Sequence, residues 1–298
     1  MIRELEALAG YTTFRIGGAA HWFAAPATAA ALRECREWAR RRSIRTLLLG
    51  GGSNLLVDDG AIDALVVRPR QDSAANVVGG LARIESDPVD PALVTAGASA
   101  PLARLLGWAA VRGWSGLEDW AAIPGTVGGA AAVNAGGARG LAELAWSVEV
   151  LDGDGTIRAL RPGDGGWKPV YRDGGFSDGD AWVVRAAFRL RADDPAAIRR
   201  RMAEAARAKA AKQPLGAASA GCVFRNPPGG PPAGKLLEEA GLKGERIGGA
   251  RVSEKHANFI VNEGNATAAD VLALMDRMRE RTFSRLGVDL RTEIRLWR

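Results

Sequence analysis

Three consecutive glycines directly after an apolar strand-like run constrain this chain more than any other feature. In "LLLGGGSNLLVDDG", Leu47 to Gly60, the run Leu47–Leu49 passes into Gly50, Gly51 and Gly52, then Ser53 and Asn54. Glycine here lets the backbone take positive φ and approach a ligand or another segment closely. Consecutive N–H groups freed in such a turn form a concave anion site suited to a diphosphate. The pattern is neither G-x-G-x-x-G nor a Walker loop, since no Gly-Lys-Ser/Thr follows. On these residues alone, a structural turn and a phosphate cradle both remain open.

A second loop of this kind is "GLEDWAAIPGTVGGAAAVNAGG", Gly116 to Gly137. Pro124-Gly125 forces a turn. Thr126 to Gly129 then offers small side chains and open amides, and an all-small run follows that can pass under a flat ring. Two separated loops suggest a long ligand with a diphosphate at one end and a planar ring at the other. A dinucleotide such as FAD fits; a mononucleotide would not need both.

The chain has 298 residues, enough for two domains or one large domain with a satellite. No apolar run approaches the roughly 18 residues that span a bilayer. The start, "MIRELEALAG", is charged where a signal peptide would be apolar, so a cytoplasmic enzyme is expected. Cys35 and Cys222 are the only cysteines, beside two histidines, and no C-x-x-C or H-E-x-x-H spacing occurs. That is poor material for a disulfide framework or a metal site. The net charge of +6 suits anionic ligands. The basic stretch Ile198 to Lys212 reads as one helix with a solvated face. It lacks the interleaved aromatics of single-strand binding, so a nucleic-acid-binding protein rests on charge alone.

The rest of the pattern predicts an α+β chain. An amphipathic helix with Leu32, Cys35 and Trp38 on one face precedes the strand "RTLLLG". "ALVTAGAS" reads as strand and turn, "APLARLLGWAAVRG" as a helix, "SVEVLDGDGTIRAL" as a hairpin turning at Gly153 and Gly155, and "AWVVRAAFRL" as a strand. A domain boundary is expected near Ala192 to Pro195. Beyond it come a helix around "KLLEEAG", a strand in "HANFIVN", a long helix capped by Asn265 or Thr267, and a terminal strand in "DLRTEIRLWR". Interspersed hairpins and βα units favour mixed sheets over a doubly wound Rossmann sheet.

Seven segments, in order and spacing, resemble the UDP-N-acetylenolpyruvoylglucosamine reductase (MurB) family: "TTFRIGGAA", "LLLGGGSNLLV", "GLEDWAAIPGTVGGAAAVNAGG", "YRDGGF", "SAGCVFRNP", "AGKLLEEAGLKGERIGGARVSEKHANFIVN" and "TEIRLW". They cover nearly the whole chain. The short spacing after "VYR" resembles the smaller of the family's two types, which lacks an inserted loop over the substrate. The resemblance implies a vanillyl-alcohol-oxidase-like (PCMH-type) FAD-binding domain in two subdomains plus an α+β substrate-binding domain. The expected parts are residues 1–70, joined by 291–298, then 71–195, and 196–290 for the substrate. FAD contacts are implied for Gly50, Gly51, Gly52, Ser53, Asn54, Pro124, Gly125, Thr126, Gly128, Gly129 and Asn134, with a contribution from Arg15. NADPH is the implied reductant, taking turns with the sugar nucleotide in one pocket. A cytoplasmic monomer of cell-wall synthesis, hence of cell shape and division, is expected, with no nucleic-acid or membrane partner. Another FAD-dependent oxidase or dehydrogenase of the same fold is the alternative; it would lack the "SAGCVFRNP" and "SEKHANFIVN" segments.

Three positions carry the implied chemistry. Arg172 falls at the family's Tyr-Arg position, Cys222 at its proton donor, where serine is common, and Glu293 at its C-terminal carboxylate. Lys212, Asn226 and His256 fall where the family contacts the nucleotide substrate. Taken singly, each catalytic candidate also has an ordinary reading: a surface turn for Arg172, packing for Cys222, and an exposed ion pair with Arg291 or Arg295 for Glu293. A thiol is a stronger acid than a hydroxyl, but Arg172 and Arg225 would favour thiolate, which cannot donate a proton. Glu293 would help only when protonated or through water. Phe176 follows Gly174-Gly175 where a hydroxyl residue is expected near Arg172.

Overall fold

A computed structural model describes residues 2–72, 77, 79–136, 139–164, 166–176 and 181–298. The chain forms two compact units. The first contains Met1–Arg3, Trp22–Gly51 and Ala64–Ala208; the second contains Glu4–His21, Gly52–Asp63 and Lys209–Arg298.

The first unit is built on a five-stranded antiparallel sheet, ordered Ile157–Leu160, Ala145–Leu151, Trp182–Arg189, Leu93–Gly97, Ile84–Ser86. The run "WVVRAAFR" lacks alternation because it is the central strand, buried on both faces. Its neighbour turns back through the expected hairpin, where Gly155 takes φ +87°. Helix Leu102–Val111 buries Leu102, Leu105, Leu106, Ala109 and Ala110, the spacing of one helical stripe. In this core Trp120 meets Phe188 edge-on at 5.8 Å.

A second cluster of the same unit packs helix Ala29–Arg40, capped by the Thr28 hydroxyl, with Leu65, Val67 and Leu81. Cys35 is half-buried against it, as a core-facing helix residue should be, and burial pushes its thiol pKa up. Strand Thr46–Leu48 runs parallel to Ile62–Val67, and the Leu49 N–H still donates to the Val67 carbonyl. The glycines therefore begin where a parallel pairing ends.

In the second unit, Leu55–Val57 pairs in parallel with Arg295–Trp297. A three-stranded antiparallel sheet, Arg246–Ile247, Ala250–Val252 and Ile260–Asn262, packs with helices Ala233–Glu239 and Ala268–Leu286. Of the two candidate caps, Thr267 is used: its hydroxyl accepts from Asp270 N–H, and the Asp270 carboxylate accepts from Thr267 N–H. Asp59 accepts from Ala268 and Ala269, and Gly287 ends the helix at φ +68°.

Two predicted strands are shorter than expected. In "HANFIVN" only Ile260–Asn262 is extended, because Phe259 N–H folds back to the His256 carbonyl. In "DLRTEIRLWR" only Arg295–Trp297 is a strand, because the chain changes partner, meeting Val223–Arg225 before Leu55–Val57. Among the described residues no helix is long and apolar enough to cross a membrane.

Candidate active site

In the first unit the two glycine loops meet backbone to backbone. A Cβ on Gly51 would lie 2.6 Å from the Gly125 Cα, and one on Gly50 would lie 2.8 Å from Thr126 Oγ1. Among the described residues, no other group of the chain accepts from the N–H of Gly50, Gly51 or Gly52. Within the first unit the successive donors of Gly50 and Gly51 are thus left for an anion, which fits the diphosphate of FAD. Gly52 opens the second unit's share of this loop at φ +62°, where a side chain would be strained and would strike the Tyr11 carbonyl. There the N–H of Thr13 donates to the Gly52 carbonyl, and its hydroxyl donates to Ser219 O at 2.7 Å. Arg15, nearby in sequence, is exposed with φ +56°.

The second loop departs from expectation. Thr126 caps helix Val127–Ala132 and accepts from Gly129 N–H. Val127 and Gly128 donate to Ala100 and Ala98 at 3.0 and 2.7 Å. The Val127 and Gly128 amides are engaged because the turn after strand Leu93–Gly97 runs alongside, and that of Gly129 by the helix's own cap, so this loop supplies shape rather than open donors. The small-residue run ends in Gly137, outside the described residues.

Asn134, left-handed at φ +44°, spends both ends of its amide within the chain: Nδ2 donates to Val170 O and Oδ1 accepts from Ala142 N–H. It thereby braces the turn that presents Arg172, closed by reciprocal Val170–Asp173 hydrogen bonds. Arg172 has φ +59°, donates to Gly136 O at 3.2 Å, and lies over the Tyr171 ring at 4.9 Å. A cavity of about 450 Å³ opens here, lined by Asn134, Glu143, Val170, Tyr171 and Arg172 among others. Where a hydroxyl was expected, Phe176 stacks on Trp167, whose indole N–H donates to Gly174 O. The turn is fixed by packing instead.

In the second unit, Cys222 is half-buried between Gly221, at φ +79°, and the fully buried Val223 and Phe224. Asn258 grips those two residues. Its carbonyl accepts from Val223 N–H, its Oδ1 accepts from Phe224 N–H at 2.9 Å, and its Nδ2 donates to Phe224 O at 2.8 Å. On the opposite edge, Glu293 N–H donates to Val223 O and Arg225 N–H to Arg291 O. Asn54 closes the group, donating to Glu293 O and accepting from Arg295 N–H. Cys222, Glu293, Ser53 and Asn54 are therefore carried on three hydrogen-bonded segments.

His256 adjoins them. Its Nδ1 accepts from Asn258 N–H at 3.2 Å, and its ring meets Phe259 edge-on. Burial lowers its pKa, so the neutral ring prevails and carries its proton on Nε2, a donor. Asn226 uses Oδ1 to cap helix Ala233–Glu239 at Ala233 N–H, beside His256 and Gly234. Lys212 ends helix Pro195–Lys212 and is exposed. The residue missed from sequence is Asn258: an amide set between the apolar Ala257 and Phe259 of "HANFIVN" was the available signal, since a buried amide must find partners.

Comparison with known proteins matches residues 20–161 to a family described as FAD binding domain. Residues 213–297 match the UDP-N-acetylenolpyruvoylglucosamine reductase C-terminal domain. The UDP-N-acetylenolpyruvoylglucosamine reductase of Syntrophobacter fumaroxidans is 42% identical over 293 residues, spanning 98% of this chain and 82% of the relative. Reductase 2 of Symbiobacterium thermophilum is 42% identical over 297 residues, spanning 99% and 92%. The crystal structure of the reductase (MurB) from Thermus caldophilus covers the whole of both chains, with a TM-score of 0.80 and 34% identity. These likenesses agree with the α+β class and the PCMH-type flavin domain read from the sequence.

Proposed function

Because the chain belongs to the UDP-N-acetylenolpyruvoylglucosamine reductase family, an FAD-dependent oxidoreductase family of peptidoglycan synthesis, we propose that it reduces UDP-N-acetylglucosamine enolpyruvate to UDP-N-acetylmuramate with NADPH as reductant and Cys222 as proton donor. The observation that carries this reading is the fastening of Cys222 and Glu293 to the segment that continues the open-amide glycine loop.

FAD, held at Gly50 to Asn54, would supply the hydride chemistry, with NADPH as the source of electrons. The chain's residues manage charge and proton. The substrate is an enol ether conjugated to a carboxylate, and hydride addition at its terminal carbon drives negative charge into that carboxylate. Arg172 binds the carboxylate and stabilises this charge, a task suited to a permanently charged, forked guanidinium. Cys222 gives its thiol proton to the adjacent carbon, so the C–H bond forms as S–H breaks and its fixed position sets the stereochemistry. Glu293 assists when protonated or through a water that donates in its place, since an ionised carboxylate would repel the developing charge. Gly50 to Asn54 hold the diphosphate, Pro124 to Gly129 shape the ring's seat, and Asn134 serves through the Arg172 turn. Lys212, Asn226 and the neutral His256 contact the nucleotide. The flavin parts are residues 1–70 with 291–298 and residues 71–195; residues 196–290 take the sugar nucleotide. The pairing of Arg295–Trp297 with Leu55–Val57 supports joining the last segment to the first. The same reading makes the chain a cytoplasmic monomer.

The test is product analysis. NADPH oxidation that depends on the sugar nucleotide and yields a product heavier by two hydrogens supports the reading. Oxidation coupled to oxygen consumption with the sugar unchanged favours an oxidase of the same fold instead.

A further inference from the structure

The segment that carries Cys222 is held at its next two residues by Asn258, whose side-chain amide is buried. Asn258 is 2% exposed, and it sits at the bend before strand Ile260–Asn262, where the backbone turns away and cannot continue a ladder. Its side chain stands in for the missing strand. Oδ1 and Nδ2 satisfy both backbone groups of Phe224, while its own carbonyl satisfies Val223 N–H. An isolated antiparallel bridge between Cys222 and Phe259 completes the register. The Asn258 N–H is fixed in turn by His256 Nδ1. Across the segment, Glu293 N–H holds the Val223 carbonyl.

We propose that Asn258 is a positioning residue for Cys222: by clamping Val223 and Phe224 it fixes the thiol's direction, and it links that direction to His256 on one side and Glu293 on the other. The proposal rests on the reading of Cys222 as proton donor. The Cys222–Phe259 bridge and the Val223 bond to the Asn258 carbonyl belong to the backbone, but for Phe224 on this edge only the side-chain amide supplies donor and acceptor. Hydrophobic packing keeps Val223 and Phe224 buried without it, but packing does not set rotation about the strand axis, and that rotation aims the neighbouring thiol. Misplacing a reacting group by about 1 Å costs on the order of 10²-fold in rate.

The test compares Asn258→Ala and Asn258→Ser holoenzymes in separate half-reactions, each also on a Cys222→Ala background. Expected are normal FAD content and normal bleaching of the flavin by NADPH. Reoxidation by the sugar nucleotide slows by about 10²-fold, with little change in the sugar concentration for half-maximal rate. The loss vanishes when Cys222 is already alanine, because the two residues act as one unit. A readout independent of turnover is alkylation by iodoacetamide in a Cys35→Ser background: Cys222 is expected to react faster once the clamp is removed.

Wild-type reoxidation in both Asn258 variants, with Cys222→Ala slow, overturns the positioning role and leaves the proton donor standing. Wild-type reoxidation in Cys222→Ala overturns the donor reading, and the positioning role with it. Equal slowing of both half-reactions, or failure of both variants to load FAD, makes Asn258 an ordinary structural residue and also overturns the proposal.

Discussion

Gly51 and Gly125 touch backbone to backbone, so that a single added methyl on Gly51 would sit 2.6 Å from the Gly125 Cα. Neither contact atom belongs to a side chain that can swing aside. Gly51→Ala is expected to force the loops apart, costing about 1–3 kcal/mol as overpacked sites do, and to lower the FAD content of the purified protein. Gly60→Ala is the matched control, because nothing lies within 4 Å of its Cβ position. Denaturant midpoints and flavin absorbance check both; equal behaviour of the two variants contradicts the contact's importance.

Cys222 should be replaceable by serine but not by alanine. A hydroxyl retains a transferable proton in the same place, whereas a methyl does not, and loss of a general acid lowers turnover by about 10²–10⁴-fold. Turnover of the wild type is further expected to fall as alkaline pH strips the thiol proton, with that limb missing in Cys222→Ser. Steady-state rates across pH decide it. Full activity in Cys222→Ala sinks the donor role.

Arg172→Lys keeps the charge yet loses the fork. Its guanidinium is held by the Gly136 carbonyl and the Tyr171 ring, two contacts shaped for a planar group. Reoxidation of reduced flavin by the sugar nucleotide is expected to drop by about 10²-fold, as when one stabilising donor is removed. Reduction by NADPH should remain as in the wild type. A lysine variant with unaltered reoxidation speaks against carboxylate binding at this position.

Burial holds the His256 pKa below its ordinary value, so the unfolded chain binds a proton that the folded chain resists. Stability from this residue is therefore complete above the unfolded value of about 6.5 and is lost as pH falls from there through the lower folded pKa. His256→Asn leaves an amide acceptor near the Nδ1 position but removes the titration. Urea unfolding at about pH 7.5 and about pH 5 should show a smaller acid loss in the variant than in the wild type. Identical losses place the acid sensitivity elsewhere.

Much of this was readable from residue pattern because it depends on neighbours in sequence. The stripe of helix Leu102–Val111, the unbroken apolar run of the central strand Trp182–Arg189, and the Thr267–Asp270 cap are local devices. The first glycine loop was legible for the same reason. What failed depended on partners far along the chain. The amides of Val127 and Gly128 looked open, but the carbonyls of Ala100 and Ala98 fill them. Asn258 passed as one more strand residue because its partner, Phe224, lies 34 positions away. Residues 289–298 looked like a continuous strand, yet they change partners partway.

The most direct test of the central claim is the anaerobic visible spectrum of the purified protein as NADPH, then UDP-N-acetylglucosamine enolpyruvate, is added. Oxidised-flavin bands are expected to bleach with NADPH and to return only with the sugar nucleotide. Bands that bleach and do not return would contradict the assigned substrate, and a colourless protein that cannot be reconstituted with FAD would contradict the account at its base.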